Sequence, residues 1–267
     1  MPPESDDAFA HWLAGRAGEL LLQVRAARGH ADPAALKVAG DRAAHEFLRT
    51  ELARHRPTDA VLSEEDDDAR RSWNGGDGPA RITADRVWIV DPLDGTREFS
   101  EEGRADWAVH VALWSRSATS THRLAAGAVA LPAQHRVLAT DSAPPYPPAP
   151  PDGTAVRLAV SRSRPPAFLT ALADEVGAVL VPMGSAGAKI AAVVDGTVDA
   201  YIHAGGQYEW DSAAPVAVAT AAGLHASRID GAPLTYNRTD PKLPDLLVCR
   251  TDLAAPLLAA LQSRVAA

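Results

Sequence analysis

The 267-residue chain has a single cysteine, Cys249. One thiol excludes an internal disulfide and any cysteine-rich zinc site. Its place after Leu246-Leu247-Val248 reads as a small core residue. No run of about 18 apolar residues occurs, so no transmembrane helix is expected. The opening Met1-Pro2-Pro3-Glu4-Ser5-Asp6-Asp7 lacks the basic start and apolar stretch of a secretory leader, which points to the cytoplasm. Lysine is scarce, with only Lys37, Lys189 and Lys242 among 26 basic residues. Where lysine survives beside so much arginine, a compact point charge is wanted, which draws attention to Lys189. Positive charge is short overall: 26 basic residues against 34 acidic ones leave −8. That argues against polymeric nucleic acid as a partner. It leaves open small phosphorylated ligands whose charge is met locally by metal ions or a few basic groups. With 46% hydrophobic and 22% charged residues, the chain has the makings of a packed soluble core rather than disorder.

Hydrophobic periodicity predicts helices over 8–28 and 41–55. Short β-like runs follow at 60–62, 87–90, 107–114, 124–131 and 135–139. The proline-rich 143–151, APPYPPAPP, continues neither a helix nor a central strand. It predicts a connector over 143–153 between an N-terminal α+β domain, 1–142, and a C-terminal α/β domain, 154–267. Beyond it, strands are predicted at 156–160, 176–182 and 197–203, and helices at 165–175, 185–195, 212–222 and 252–264. Alternation of strand and helix there argues a layered α/β half.

The strongest local signal is Trp88-Ile89-Val90-Asp91-Pro92-Leu93-Asp94-Gly95-Thr96. An apolar strand ends in a carboxylate, Pro92 is expected to stop the ladder, and a second carboxylate, a glycine and a hydroxyl follow. Two carboxylates on one turn can share a hard divalent cation, although Asp-rich turns also arise for backbone reasons alone. Glu64 is the first carboxylate after Val61-Leu62-Ser63, and Asp66 to Asp68 read as a solvated run. Asp211 precedes an alanine-rich helix, where its default role is an N-cap. Gly184-Ser185-Ala186-Gly187-Ala188-Lys189 places small residues and a lysine at a helix start, which suits either an anion or close packing.

In this order and spacing, Glu64-Glu65, Asp91 to Thr96 and Trp210-Asp211 resemble the lithium-sensitive, Mg²⁺-dependent phosphatases of the inositol monophosphatase superfamily, over about residues 10–250. Arg97-Glu98-Phe99, Ser161-Arg162-Ser163-Arg164 and Ala188-Lys189-Ile190 are similar to its bacterial CysQ-type 3'(2'),5'-bisphosphate nucleotidases. The resemblance implies a layered αβαβα sandwich of the sugar-phosphatase type, two or three Mg²⁺ ions per site, and a cytoplasmic homodimer. It implies Glu64, Asp91, Asp94, Asp211 and the Leu93 carbonyl as metal ligands. Thr96 would orient the attacking water with Asp41, at the start of the second helix, and Gly95-Thr96 would hold the scissile phosphate. Ser161, Arg164, Gly184, Ser185 and Lys189 would receive the rest of a nucleotide. The sequence departs from the family pattern at Ser63, where Gly is usual, at Val38-Ala39, where Val-Thr is usual, and at Arg164, where His is common. The implied reaction is hydrolysis of the 3'-phosphate of adenosine 3',5'-bisphosphate or its sulfated relative. The alternatives are an inositol, fructose or histidinol phosphate phosphatase, and a non-catalytic metal- or nucleotide-binding regulator. Inositol-type members place a Glu several residues before Trp-Asp; here that stretch is Ile202-His203-Ala204.

Overall fold

A computed structural model describes residues 1–66, 80–151, 153–163 and 165–265. Arg164, Asp67 and Asp68, which carried expectations above, and Asp152 of the predicted 143–153 connector lie outside the described residues. The first half holds α1 (Asp6–Arg28), α2 (Pro33–His55), β1 (Ala60–Ser63), β2 (Arg86–Asp94), α3 (Thr96–Ser100), β3 (Ala108–Ser115), β4 (Leu124–Leu131) and β5 (Arg136–Ala139). The second holds β6 (Val156–Ser161), α4 (Phe168–Val176), β7 (Ala178–Met183), α5 (Ala186–Val194), β8 (Ala200–Tyr208), α6 (Glu209–Ala221), β9 (His225–Ser227), β10 (Lys242–Cys249) and α7 (Thr251–Val265).

Two five-stranded sheets form, in the orders β1-β2-β3-β4-β5 and β7-β6-β8-β10-β9. Both are mixed: β1 runs parallel to β2, and β6 parallel to β7 and β8, with the remaining pairs antiparallel. Strand residues alternate between faces, and both faces of each sheet are covered. On the first sheet, Trp88, Val90 and Val111 pack under Phe9, Leu13, Leu21 and Leu48 of α1 and α2. The intervening Ile89, Ala112 and Val129 meet Ile190 and Val194 of α5 and Ala214 and Val218 of α6. Tyr201 and Val248 of the second sheet close the same middle core. On the far side, Leu158, Val160 and Ile202 pack against Leu169, Leu172, Leu257 and Leu261 of α4 and α7. The layers are therefore α1–α2, sheet, α5–α6, sheet, α4–α7, the αβαβα sandwich expected.

The structure corrects several boundaries. α2 begins at Pro33, not 41, because Asp32 Oδ1 accepts a hydrogen bond from the Ala35 N–H at 3.0 Å and Pro33 occupies the first helical turn. Asp41 is thus inside the helix rather than at its start. β2 does not stop at Pro92; it resumes through a register shift between Asp91 and Asp94, which accommodates the missing donor. α4 starts at Phe168, after Pro165-Pro166 rather than on them. Asp211 is not the N-cap of α6: Tyr208 is, and Asp211 sits in the first turn, its Oδ2 accepting the Tyr208 N–H at 2.6 Å. α3, β9 and β10 were not foreseen as elements. The segment 143–150 carries no regular structure. It lies along the second half, with Arg250 Nη1 donating to the Pro148 carbonyl at 2.8 Å and the Thr251 N–H donating to Tyr146 Oη at 3.0 Å.

Candidate active site

The site forms where the ends of β2 and α3 meet the starts of α5 and α6. Carboxylate oxygens of Asp91, Asp94 and Asp211 lie within 4.8 Å of one another. Glu64 follows β1, which is paired in parallel with β2, and its carboxyl shares a hydrogen bond with that of Asp91. Three of the four acidic residues expected as ligands, Asp91, Asp94 and Asp211, are thus brought together from two separate stretches of chain, and Glu64 stands against Asp91.

Their electrostatics differ with their partners. Burial raises the Asp91 carboxyl well above its usual range, and Glu64, Asp94 and Asp211 add repulsion. Burial and Asp94 likewise push Asp211 up to about 7. Asp94 is also buried, yet it is held below its ordinary value by the groups around Oδ2. These are Ser185 Oγ, donating at 2.5 Å, the Gly187 N–H at 2.8 Å, and His110 Nε2 at 3.3 Å. His110 itself is fully buried, which lowers its basicity, but Asp94 more than offsets this. Its Nδ1 lies 2.9 Å from the Trp210 carbonyl, so it ties β3 to α6 across the cluster.

The donor set suits a hard divalent cation. Every candidate ligand is an oxygen, and burial and mutual repulsion raise Asp91 and Asp211, a penalty that a bound cation would relieve. This has a consequence for stability. Between the ordinary 3.8 of an aspartate and about 7, native Asp211 keeps a proton that the unfolded chain has released. Stability then falls as pH rises through that window. Glu209, raised by burial from 4.5 to about 7, contributes with the same sign. With a chelator present, the thermal midpoint is expected to fall from about pH 5 to about pH 8. Added divalent cation, which binds the ionised carboxylates, should recover the part due to Asp211. A chelated protein whose midpoint is flat or rises over this range would contradict the assignment.

Around the cluster opens a cavity of about 400 Å³. Asp94, Gly95, Thr96, Ser161, Gly184, Ser185, Lys189 and Asp211, all expected at the site, line it. Gly95 caps α3 in the left-handed region, at φ 85°, and a side chain there would press on Ser185 and the Asp106 carbonyl. Leu93 lies between the two aspartates with its N–H donating to Asp91 Oδ1 at 3.0 Å. α2 comes close to this turn because Gly40 has no side chain; a Cβ there would lie 2.7 Å from Phe99 and 3.0 Å from Leu93. Asp41 is the next residue and is half-buried.

Lys189 is only 4% exposed. Its Nζ donates to the carbonyls of Ser185, at 2.6 Å, and Gly184, at 3.1 Å, and sits 5.2 Å from the centre of the Tyr201 ring. Two of its three donors thus shape the turn that holds Asp94. Arg162 is likewise engaged, bonding Glu98 at 2.6 Å and Glu101 at 3.0 Å. Glu209 points away from the cavity and accepts the N–H groups of Asn237 and Arg238 at 2.7 and 2.8 Å. Sequence reasoning missed His110. The available signal was a titratable residue inside the apolar strand Val109-His110-Val111. It also missed Tyr201, Gln207, Lys37 and Arg97, which line the cavity.

Comparison with known proteins agrees with this geometry. The chain is 54% identical over 247 residues to the 3'-phosphoadenosine 5'-phosphate phosphatase of Mycobacterium tuberculosis, covering 92% of this chain and 89% of that protein. It is 28% identical over 251 residues to the 3'(2'),5'-bisphosphate nucleotidase CysQ of Escherichia coli, covering 84% and 91%. The crystal structure of inositol monophosphatase-II from Staphylococcus aureus shares the fold, with a TM-score of 0.73 at 20% identity and 96% of each chain covered. The sequence pattern of the inositol monophosphatase family matches residues 3–266, and the chain belongs to that family.

Proposed function

We propose that this chain is a Mg²⁺-dependent phosphatase that removes the 3'-phosphate of adenosine 3',5'-bisphosphate, and of its sulfated relative. One observation carries the reading: a single cavity is lined both by the acidic pair Asp94 and Asp211 and by the cations Lys37, Arg97 and Lys189. Such a lining suits a small ligand with one phosphate at the carboxylates and a second elsewhere, on a protein whose net charge is −8. The relatives from Mycobacterium tuberculosis and Escherichia coli, named for bisphosphate nucleotide substrates, support the same choice. Against an inositol phosphate, Glu209 is committed to the backbone at 237–238, and residues 202–204 offer no carboxylate.

In this reading Glu64, Asp91, Asp94, Asp211 and the Leu93 carbonyl would hold the metal. When bound, divalent cations acidify water to a nucleophile at neutral pH and neutralise phosphate charge. The protein supplies the positioning. Ser185, Gly187 and His110 fix the Asp94 carboxylate. Thr96, at the first position of α3 and on the cavity, orients the attacking water with help from Asp41. The Gly95-Thr96 backbone holds the scissile phosphate, and Ser161, Gly184, Ser185 and Lys189 face the rest of the ligand. The resemblance also carries lithium inhibition and a cytoplasmic homodimer as parts of the proposal.

The test is phosphate release from adenosine 3',5'-bisphosphate, inositol 1-phosphate and fructose 1,6-bisphosphate, with Mg²⁺, with Mg²⁺ plus Li⁺, and with a chelator. The nucleotide is expected to have the highest kcat/KM, with turnover lost in chelator and reduced by Li⁺. A higher kcat/KM for either sugar phosphate would replace this reading with the inositol or fructose alternative.

A further inference from the structure

Gln207, near the end of β8, is 7% exposed and lines the same cavity as Asp94 and Asp211. Its Nε2 donates to Tyr201 Oη at 2.9 Å. Its Oε1 is buried and has no hydrogen-bond partner among the described residues. An unpaired buried amide oxygen is costly, and an apolar side chain of similar size would avoid that cost. The amide is thus better suited to a ligand than to the folded chain alone.

The position of Gln207 says which part of a ligand it meets. The next residue, Tyr208, donates its backbone N–H to Asp211 Oδ2 at 2.6 Å. Gln207 therefore flanks the carboxylate cluster rather than the outer end of the cavity. A ligand whose phosphate sits at that cluster presents there the atoms next to the ester bond. A hydroxyl both donates and accepts, so it can pair with whichever end of the amide faces away from Tyr201.

We propose that Gln207 is a specificity-determining residue whose side-chain amide pairs with the hydroxyl on the carbon adjacent to the phosphate ester, which in a ribose 3'-phosphate is the 2'-hydroxyl. This rests on the phosphatase reading above. A site built around such a hydrogen bond rejects the analogue that lacks the hydroxyl, because its own polar atom is left unpaired. The contact also has a route to the chemistry. The Tyr201 ring lies beneath Lys189, and Lys189 holds the carbonyls of Gly184 and Ser185, the turn that presents Ser185 Oγ to Asp94.

The experiment compares kcat/KM for adenosine 3',5'-bisphosphate and 2'-deoxyadenosine 3',5'-bisphosphate in the unaltered protein and in Gln207→Leu, with Mg²⁺ present. The unaltered protein should prefer the ribonucleotide by about 3- to 10-fold, the range of a neutral hydrogen bond. In Gln207→Leu the ratio should collapse to about one, chiefly through loss on the ribonucleotide. Because the ratio is taken within one protein, general damage to the fold cancels. Gln207→Met, which keeps length and flexibility, serves the same test if the leucine variant does not fold. An active unaltered protein that does not discriminate, or a variant that keeps the original ratio, overturns the role of Gln207 alone. An unaltered protein that hydrolyses neither nucleotide overturns the phosphatase reading and this inference with it.

Discussion

Replacing Asp94 by asparagine is expected to lower kcat by at least about a thousandfold at saturating Mg²⁺ while leaving the protein folded. The Asp94→Asn change keeps the size of the side chain and an oxygen able to accept from Ser185 Oγ and the Gly187 N–H, which now bond Asp94 at 2.5 and 2.8 Å. What disappears is the charge. Among the buried acids of the cluster, Asp94 is the one held ionised by its neighbours, whereas burial raises Asp91 and Asp211. Removing it takes away the carboxylate most ready to receive a cation. A thousandfold loss corresponds to about 4 kcal/mol, within the several kcal/mol that metal-assisted charge stabilisation supplies. Steady-state kinetics with a Mg²⁺ titration, beside a thermal unfolding curve, checks both halves. Near-normal kcat at high Mg²⁺ would remove Asp94 from the ligand set.

The second large effect is expected from a single methyl group. A Cβ at Gly187 would lie 2.0 Å from His110 Nε2 and 3.0 Å from two ring carbons. His110 cannot easily move aside, since it is fully buried and bonded to the Trp210 carbonyl. Gly187→Ala must therefore shift either the imidazole or the start of α5, and both position Asp94. Overpacking of this kind costs about 1–3 kcal/mol. A displacement of about 1 Å in catalytic geometry costs about a hundredfold in rate. Thermal unfolding and kcat should both drop, and the double variant Gly187→Ala with His110→Ala should be more stable than the two separate losses added together predict. Simple additivity would show that the glycine is not there to make room for the histidine.

Much of the site was legible because its chemistry is local. Asp91, Leu93, Asp94, Gly95 and Thr96 occupy one turn, so their spacing marks a place where two carboxylates can share a cation, and the family resemblance adds the ligand roles. Glu64 stood out by following a short apolar strand, and Asp211 by preceding an alanine-rich helix. The αβαβα layering was expected from the family resemblance, and the fold bears it out. Boundaries were less legible where a capping residue overrides hydrophobic periodicity. Asp32 and Pro33 start α2 upstream of its strongest apolar stripe. Tyr208, whose aromatic side chain is no usual N-cap, starts α6 before Asp211.

The sequence by itself determined the carboxylate pair Asp91 and Asp94 on one turn, the small-residue turn at 184–189, the single thiol and a charge balance that argues against a nucleic-acid surface. Each depends on residue type and near-neighbour spacing. The tertiary structure decided which polar groups serve the carboxylates and which serve the fold. The β2–β3 register sets His110 opposite Asp91, and the shift before Asp94 brings its ring to Asp94 Oδ2. The docking of α5 turns two of the three Lys189 donors to backbone carbonyls while leaving the side chain on the cavity, and the return of residues 237–238 takes Glu209 away from it. The continuation of β8 to Tyr208 brings Gln207 to the cavity beside Asp211. These partners meet across sheet register and helix packing rather than along one turn or face, so no local pattern encodes them.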